Sequence, residues 1–176
     1  MYKHFICIDP SLRSTGFAIM DNMEEVLQTE QIRTKSGLSD HKTCDQIVET
    51  IFDLVNDNPI LGKPKHTLVV IEDYAMGRFQ GKSFGRAEVI GTLLWNFRQD
   101  EYPIIAVAPT SLKSYVAQDF GGGKAKKPDM QAAVHSLTGN WYANDDINDA
   151  VALGIFANAV FTHGKKLTYR ARTIMV

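Results

Sequence analysis

The chain has 176 residues, 44% of them apolar and 22% charged, and a formal net charge of -1. This length and composition fit one soluble globular domain with one sizeable core, and the whole-chain charge does not by itself mark a nucleic-acid binder. No stretch reaches the roughly 18 apolar residues of a membrane span, and the start, MYKHFICIDPS, has neither a long apolar segment nor the cleavage motif of a secretory leader; a cytoplasmic protein with no membrane partner is expected.

FICIDPS predicts a first strand and STGFAIMD a second, joined through a turn containing Pro10 and Gly16. VLQTEQIRT, with rough alternation, predicts a third. Three consecutive strands with short connections predict an antiparallel meander. From residue 40 to 57 the period changes, and Cys44, Ile47, Val48, Ile51, Leu54 and Val55 mark one face of a helix capped by Ser39 or Asp40. Pro59, Gly62 and Pro64 end it. HTLVVIED is a near-continuous apolar run, as a central buried strand requires. A loop follows with Gly77, Gly81 and Gly85, the bases Arg78, Lys82 and Arg86, and the aromatics Tyr74 and Phe79.

Residues 86–98 predict a helix, with Trp95 in its core or at a dimer interface. YPIIAVAPTSLKS predicts a strand, a turn at Pro109 and a helix capped by Thr110. QDFGGGKAKKPD is expected to be flexible or turn-like, because three consecutive glycines are costly to order. DMQAAVHSL predicts a short helix, and a long one runs from about 145 to 161, capped by Asn144 or Asp145, with Trp141 and Tyr142 stapling its start. The tail after Gly164 is a weak strand or disordered. The element order predicts an α/β domain over residues 1–164, a mixed sheet with helices on its faces, followed by a basic tail, 165–176. Cys7 and Cys44 fall on apolar faces and are expected as reduced core residues.

Charge is unevenly distributed. Residues 21–57 carry nine acids and three bases, whereas 161–176 carry Lys165, Lys166, Arg170 and Arg172 and no acid. Lys124, Lys126 and Lys127 form a second basic cluster. Such a protein could hold DNA on one face and repel it on the other; solubilising surface lysines and a frayed tail account equally well for charge alone.

Four acids carry the chemistry. Asp9 and Glu72 end apolar, strand-like runs, and Asp146 and Asp149 lie one turn apart near the start of a helix, so they share a face. Asp145 and Asn148 diverge from that direction. Ala150, Gly154 and Ala157 are small enough to let this helix approach the sheet closely. Four gathered carboxylates need counter-charge. Mg2+ or Mn2+ supplies it through hard oxygen ligands, and two ions about 3.5–4 Å apart can activate water and stabilise a leaving oxygen. Taken singly, Asp9 could merely open a turn and Asp146 merely favour the positive end of its helix. His4, His41, His66, His135 and His163 show no ligand spacing.

These segments together resemble the RuvC-type Holliday junction resolvases of the RNase H-like superfamily. IDPSLRSTGFAI resembles the first-strand motif D-P-G-x-x-x-T-G, with Ser11 in place of the glycine and Thr15 and Gly16 retained. IEDYAMG resembles the second catalytic segment, VAPTSLKSYVAQDFGGGKAKKPDMQAAV the V-x-P-x-x-x-K segment with its basic stretch, and NDDINDAVALGIFAN the closing D-x-x-D-A-x-A-x-A helix. The similarity spans residues 4–162.

The resemblance implies a sheet of three antiparallel strands followed by parallel ones with helices on both faces, and a homodimer that nicks opposed strands of a four-way DNA junction, leaving 5'-phosphates. It maps the metal-binding catalytic acids onto Asp9, Glu72, Asp146 and Asp149, and the conserved basic residues of the third segment, which can stabilise charge on the scissile phosphate in catalysis, onto Lys113 and Lys127. Thr15, Tyr74, Arg78, Phe79, Lys82, Arg86, Lys113, Lys124, Lys126 and Lys127 are expected at the DNA, with Tyr74 or Phe79 stacking at the junction centre. No histidine stands in the last helix, unlike some members; the Gly-Gly-Gly-Lys stretch and basic tail fit a bacteriophage member acting in a bacterial cell. A nuclease for flaps, forks or RNA–DNA hybrids and a non-catalytic branched-DNA binding module are the alternatives. An actin-like phosphotransferase also shares the first motif, but the chain is too short for two lobes and lacks a second phosphate loop.

Overall fold

The computed structural model describes residues 2–61, 64–73, 83–166 and 171–175, with backbone alone for 83, 84 and 171–175. Three strands, β1 (His4–Asp9), β2 (Ser14–Asp21) and β3 (Val26–Arg33), form the expected meander, β1 pairing antiparallel with β2 and β2 with β3. Helix α1 (Asp40–Asn56) follows, its Ser39 cap accepting from the Lys42 amide. It delivers the chain to β4 (Thr67–Glu72), which lies parallel to β1 with Ile8 opposite Ile71. Helix α2 (Ser83–Gln99) leads to β5 (Ile104–Val107), parallel to β4. After α3 (Pro109–Val116), α4 (Lys127–Thr138) and α5 (Asp145–Phe161), strand β6 (Ala171–Met175) adds antiparallel to β5. The sheet order is β3-β2-β1-β4-β5-β6. The tail thus contributes an edge strand to a sheet otherwise built as the sequence implies.

Strand alternation divides the core. Phe5, Cys7, Ala18, Met20, Leu68 and Val70 point to one face and pack beneath α3, α4 and α5. Ile6, Ile8, Phe17, Ile19, Val69 and Ile71 point to the other, against α1 and α2. Each of the Phe, Ile, Leu, Val and Met side chains among them, fully buried, contributes about 1.5–3 kcal/mol, so both faces specify the register strongly. Cys7 and Cys44 are buried free thiols, as expected, and burial pushes the Cys7 thiol up.

Helix α5 is the centrepiece of its face. Residues 150 to 159 are buried without interruption, and Asn158 donates from Nδ2 to the Asp21 carbonyl at 2.8 Å. Small residues permit the approach: a Cβ on Gly154 would collide with Met20 Sδ and crowd Cys7 Sγ. Asn144 caps the helix, its Oδ1 accepting from the amides of Asp146 and Ile147.

Two local expectations are corrected, the cap of α3 and the place of Trp141, and two are narrowed to one of their alternatives. Helix α3 starts at Pro109 with Ala108 at the cap, because proline's fixed φ suits the first helical turn and Thr110 then lies inside it. The glycine-rich stretch takes the turn-like of its two expected forms: Gln118–Phe120 and Gly122–Lys124 form short 3-10 turns, with Gly121 at φ 104° and Gly122 at φ 57°, a region that glycine enters at no steric cost. Trp95 lies outside the core of this chain, 63% exposed, while Phe97 two positions on is buried. Tyr142 packs against the α5 side of the core, but Trp141 is exposed and stacks edge-on against His135 of α4 instead. Among the described residues, no helix is long and apolar enough to cross a membrane.

Candidate active site

Asp9 and Glu72 end adjacent parallel strands. Alternation puts Asp9 on the side of Phe5 and Cys7, and Glu72 on the side of Leu68 and Val70, so both carboxylates face α5. They lie close enough to hydrogen-bond each other. Burial and the charge of Glu72 raise the Asp9 carboxyl well above its usual range, with a further contribution from Asp149 and an opposing one from Arg86. Asp149 is pushed up to about 7 by burial and by Glu72, against the opposing pull of Lys113 and Lys127. Three of the four expected acids are therefore one electrostatic unit.

The fourth, Asp146, is held at its edge. Its Oδ2 accepts from Ser14 Oγ and, at 3.2 Å, from Gln31 Nε2, which also donates to Ser14 Oγ at 2.7 Å. Gly16 lets α5 settle here, because a Cβ at that position would overlap the Asp146 backbone carbonyl. Asp145, which diverges from the direction of Asp146 and Asp149, is turned to Lys127 Nζ at 2.7 Å and Gln131 Nε2 at 3.0 Å.

Arg86 supplies the counter-charge. Its guanidinium contacts Asp9 Oδ1 at 3.1 Å and forms a second, shorter ion pair with Glu72 Oε2. The sequence placed Arg86 at phosphate; the structure engages it with two carboxylates. Gly85 before it lies against Leu12 in the β1–β2 turn, where an added Cβ would displace the Leu12 side chain.

Thr15 is also corrected. Expected at the DNA, it is completely buried, its Oγ1 donating to the Ser11 carbonyl at 2.8 Å and accepting from the Ser11 amide at 3.1 Å. It closes the turn that aims Asp9. Lys113 is half-buried beside Asp149, and Lys124, Lys126 and Lys127 are exposed along the approach to α4. Tyr74, Arg78, Phe79 and Lys82 lie outside the described residues.

Sequence reasoning missed Ser14, Gln31 and the carboxylate contacts of Arg86. The first two were detectable: Gln31 sits opposite Gly16 across the β2–β3 pair, and Ser14 precedes Gly16 on the same face.

An all-oxygen donor set suits a hard divalent cation. The raised Asp9 and Asp149 carboxyls show that negative charge here is under-compensated, which is the condition such an ion relieves. Among the described residues, however, no group of three or more acids is drawn into a ready-made cage.

The family model described as "Crossover junction endodeoxyribonuclease RuvC" matches residues 5–157. The RuvC structure from Thermus thermophilus superposes with a TM-score of 0.73 at 16% identity, covering 92% of this chain and 96% of that one. The T. thermophilus RuvC structure in complex with a Holliday junction substrate gives 0.73 at 15% identity, covering 93% and 97%. No curated protein matches in sequence.

Proposed function

The chain belongs to the RuvC family of crossover junction endodeoxyribonucleases, metal-dependent enzymes that resolve branched DNA, and on that footing we propose that Asp9, Glu72, Asp146 and Asp149 hold two Mg2+ or Mn2+ ions. The observation that carries this reading is the convergence of Asp9 and Glu72 from adjacent strand ends onto Asp149, with both aspartate carboxyls raised by burial and by the charge of Glu72. Bound there, the ions would supply activation of water and neutralisation of the leaving 3'-oxygen.

The protein's own groups do the rest. Ser14 and Gln31 fix the rotamer of Asp146. Asp145 draws Lys127 alongside the acids, and Lys113 approaches Asp149 from α3. Both ammonium groups stand where they can offset charge on a scissile phosphate. Lys124 and Lys126 continue the positive track and position DNA without reading its sequence. Two copies of the chain, each bringing one such site, would nick opposed strands of a four-way junction as a homodimer. A bacteriophage source fits the same reading.

Purified protein with Mg2+ is expected to cut an immobile four-way junction by paired symmetric nicks, and Asp146→Asn to abolish them. Cleavage of a fork, flap or RNA–DNA hybrid with the junction left intact would reassign the substrate. Binding without cleavage of any of them would make the chain a junction-binding module.

A further inference from the structure

Arg86 is the one described cation in direct contact with two of the proposed metal ligands. We propose that it is a resident counter-cation: it holds Asp9 and Glu72 together in the metal-free protein and is displaced when a divalent ion arrives. This rests on the metal-site reading above and adds a competitor to it.

The argument starts from shared atoms. The guanidinium occupies Asp9 Oδ1 and Glu72 Oε2, oxygens that an ion between these side chains would also need. A guanidinium and a divalent ion on the same oxygens repel one another strongly at such separations. The guanidinium and an ion at these oxygens therefore compete for the same place.

Two features distinguish this arrangement from a permanent structural ion pair. Arg86 Nε is buried and has no acceptor among the described residues, so the pose leaves a donor unsatisfied. The side chain is also 31% exposed, against 13% for Asp9 and 12% for Glu72, so it has a way out that the carboxylates lack. From the first turn of α2, next to Gly85, it reaches both strand ends. Arg86 is a positioning residue in this scheme. It lowers the repulsion between Asp9 and Glu72, keeps them facing one point, and sets a threshold of metal concentration for activation.

The test is Mn2+ titration of the full DNA-free chain by calorimetry, with thermal unfolding in EDTA and in Mn2+. Arg86→Gln is expected to bind Mn2+ at least fivefold more tightly than wild type and to unfold at a lower temperature in EDTA, a deficit that Mn2+ erases. Unchanged or weaker Mn2+ binding by the folded variant overturns the proposal. Should Arg86→Gln not fold in EDTA, Arg86→Lys, which keeps the charge and loses the planar fork, is titrated in its place. At least twofold tighter binding supports the proposal, and wild-type or weaker binding overturns it. Glu72→Gln separates the two readings. If it leaves Mn2+ binding intact, the metal site itself is misassigned; if it removes binding while the Arg86 variants bind like wild type, only the counter-cation role fails.

Discussion

Gly16 and the backbone carbonyl of Asp146 are in contact so close that no side chain fits between them. Gly16 lies opposite Asp9 across the β1–β2 pair, so this contact joins the strand that ends in one catalytic candidate to the helix that carries two more. Gly16→Ala must push the start of α5 away. Overpacking of this kind costs about 1–3 kcal/mol, and a displacement of about 1 Å in a positioned group can reduce a rate about 100-fold. A junction-nicking assay beside thermal unfolding should find activity falling far more than stability. Equal, small losses in both would mean that the helix start adapts and does not set the geometry.

Asp149 gives the metal-free protein a pH dependence of definite sign. Its carboxyl is raised from 3.8 to about 7. A raised carboxyl is favourable to folding below its unfolded pKa, and that contribution is lost as pH climbs through the folded value. In EDTA, wild type should therefore lose stability relative to Asp149→Asn between about pH 4 and about pH 7, by on the order of 2–4 kcal/mol. Denaturant unfolding of both proteins at pH 4 and pH 8 measures the change. A stability gap independent of pH would show that the burial and the Glu72 charge are relieved in solution. Saturating Mg2+ should reverse the order at pH 8, because only the native carboxylate supplies a charged ligand.

Much of this site was legible because strand and helix periods are strong local constraints. Asp9 and Glu72 could be read as strand ends because Ile6, Ile8, Val69, Val70 and Ile71 run without polar interruption before them. Asp146 and Asp149 could be paired because three residues make nearly one turn. Arg86 was harder. Its partners are 14 and 77 positions away, and a base in a glycine-rich loop carries no local mark of whether it faces phosphate or carboxylate. Thr15 misled for a related reason: a Thr beside Gly in a phosphate-like motif looks available, but its hydroxyl is consumed within the turn by Ser11. Of the two forms expected for the glycine-rich stretch, the turn-like one is found, and the tertiary contact of Gly122–Lys124 with α3 offsets the entropy cost that three consecutive glycines carry.

The Ser14–Gln31–Asp146 chain should separate positioning from binding. Removing Ser14 Oγ leaves Gln31 Nε2 at 3.2 Å as the remaining side-chain donor to Asp146 Oδ2 among these contacts. Loss of one hydrogen bond to a charged group corresponds to about 1.5–3 kcal/mol, or roughly 10-fold or more in rate if Asp146 must hold one rotamer for turnover. Ser14→Ala is expected to lower kcat for junction nicking with KM little changed, and Ser14→Thr, which restores the hydroxyl, to recover part of the loss. A rise in KM at constant kcat would transfer Ser14 to DNA binding.

Lys113 and Lys126 should fail in different ways, because one stands beside an acid of the site and the other is exposed on the approach to it. A lysine that only grips the backbone releases about one condensed counterion when it binds DNA. Lys126→Ala should therefore make log affinity for a junction less steep in log salt by roughly one unit, while single-turnover cleavage of the bound complex stays near wild type. Lys113→Ala should do the converse: removing the positive group that offsets Asp149, and that in the proposed role stabilises charge on the phosphate, should cost about 100-fold or more in the cleavage step, with a smaller effect on the salt slope. Salt-dependent binding to a junction in Ca2+, followed by cleavage started with Mg2+, measures both quantities on the same complex. Matching effects of the two substitutions would collapse the distinction between a charge at the chemistry and a charge along the track.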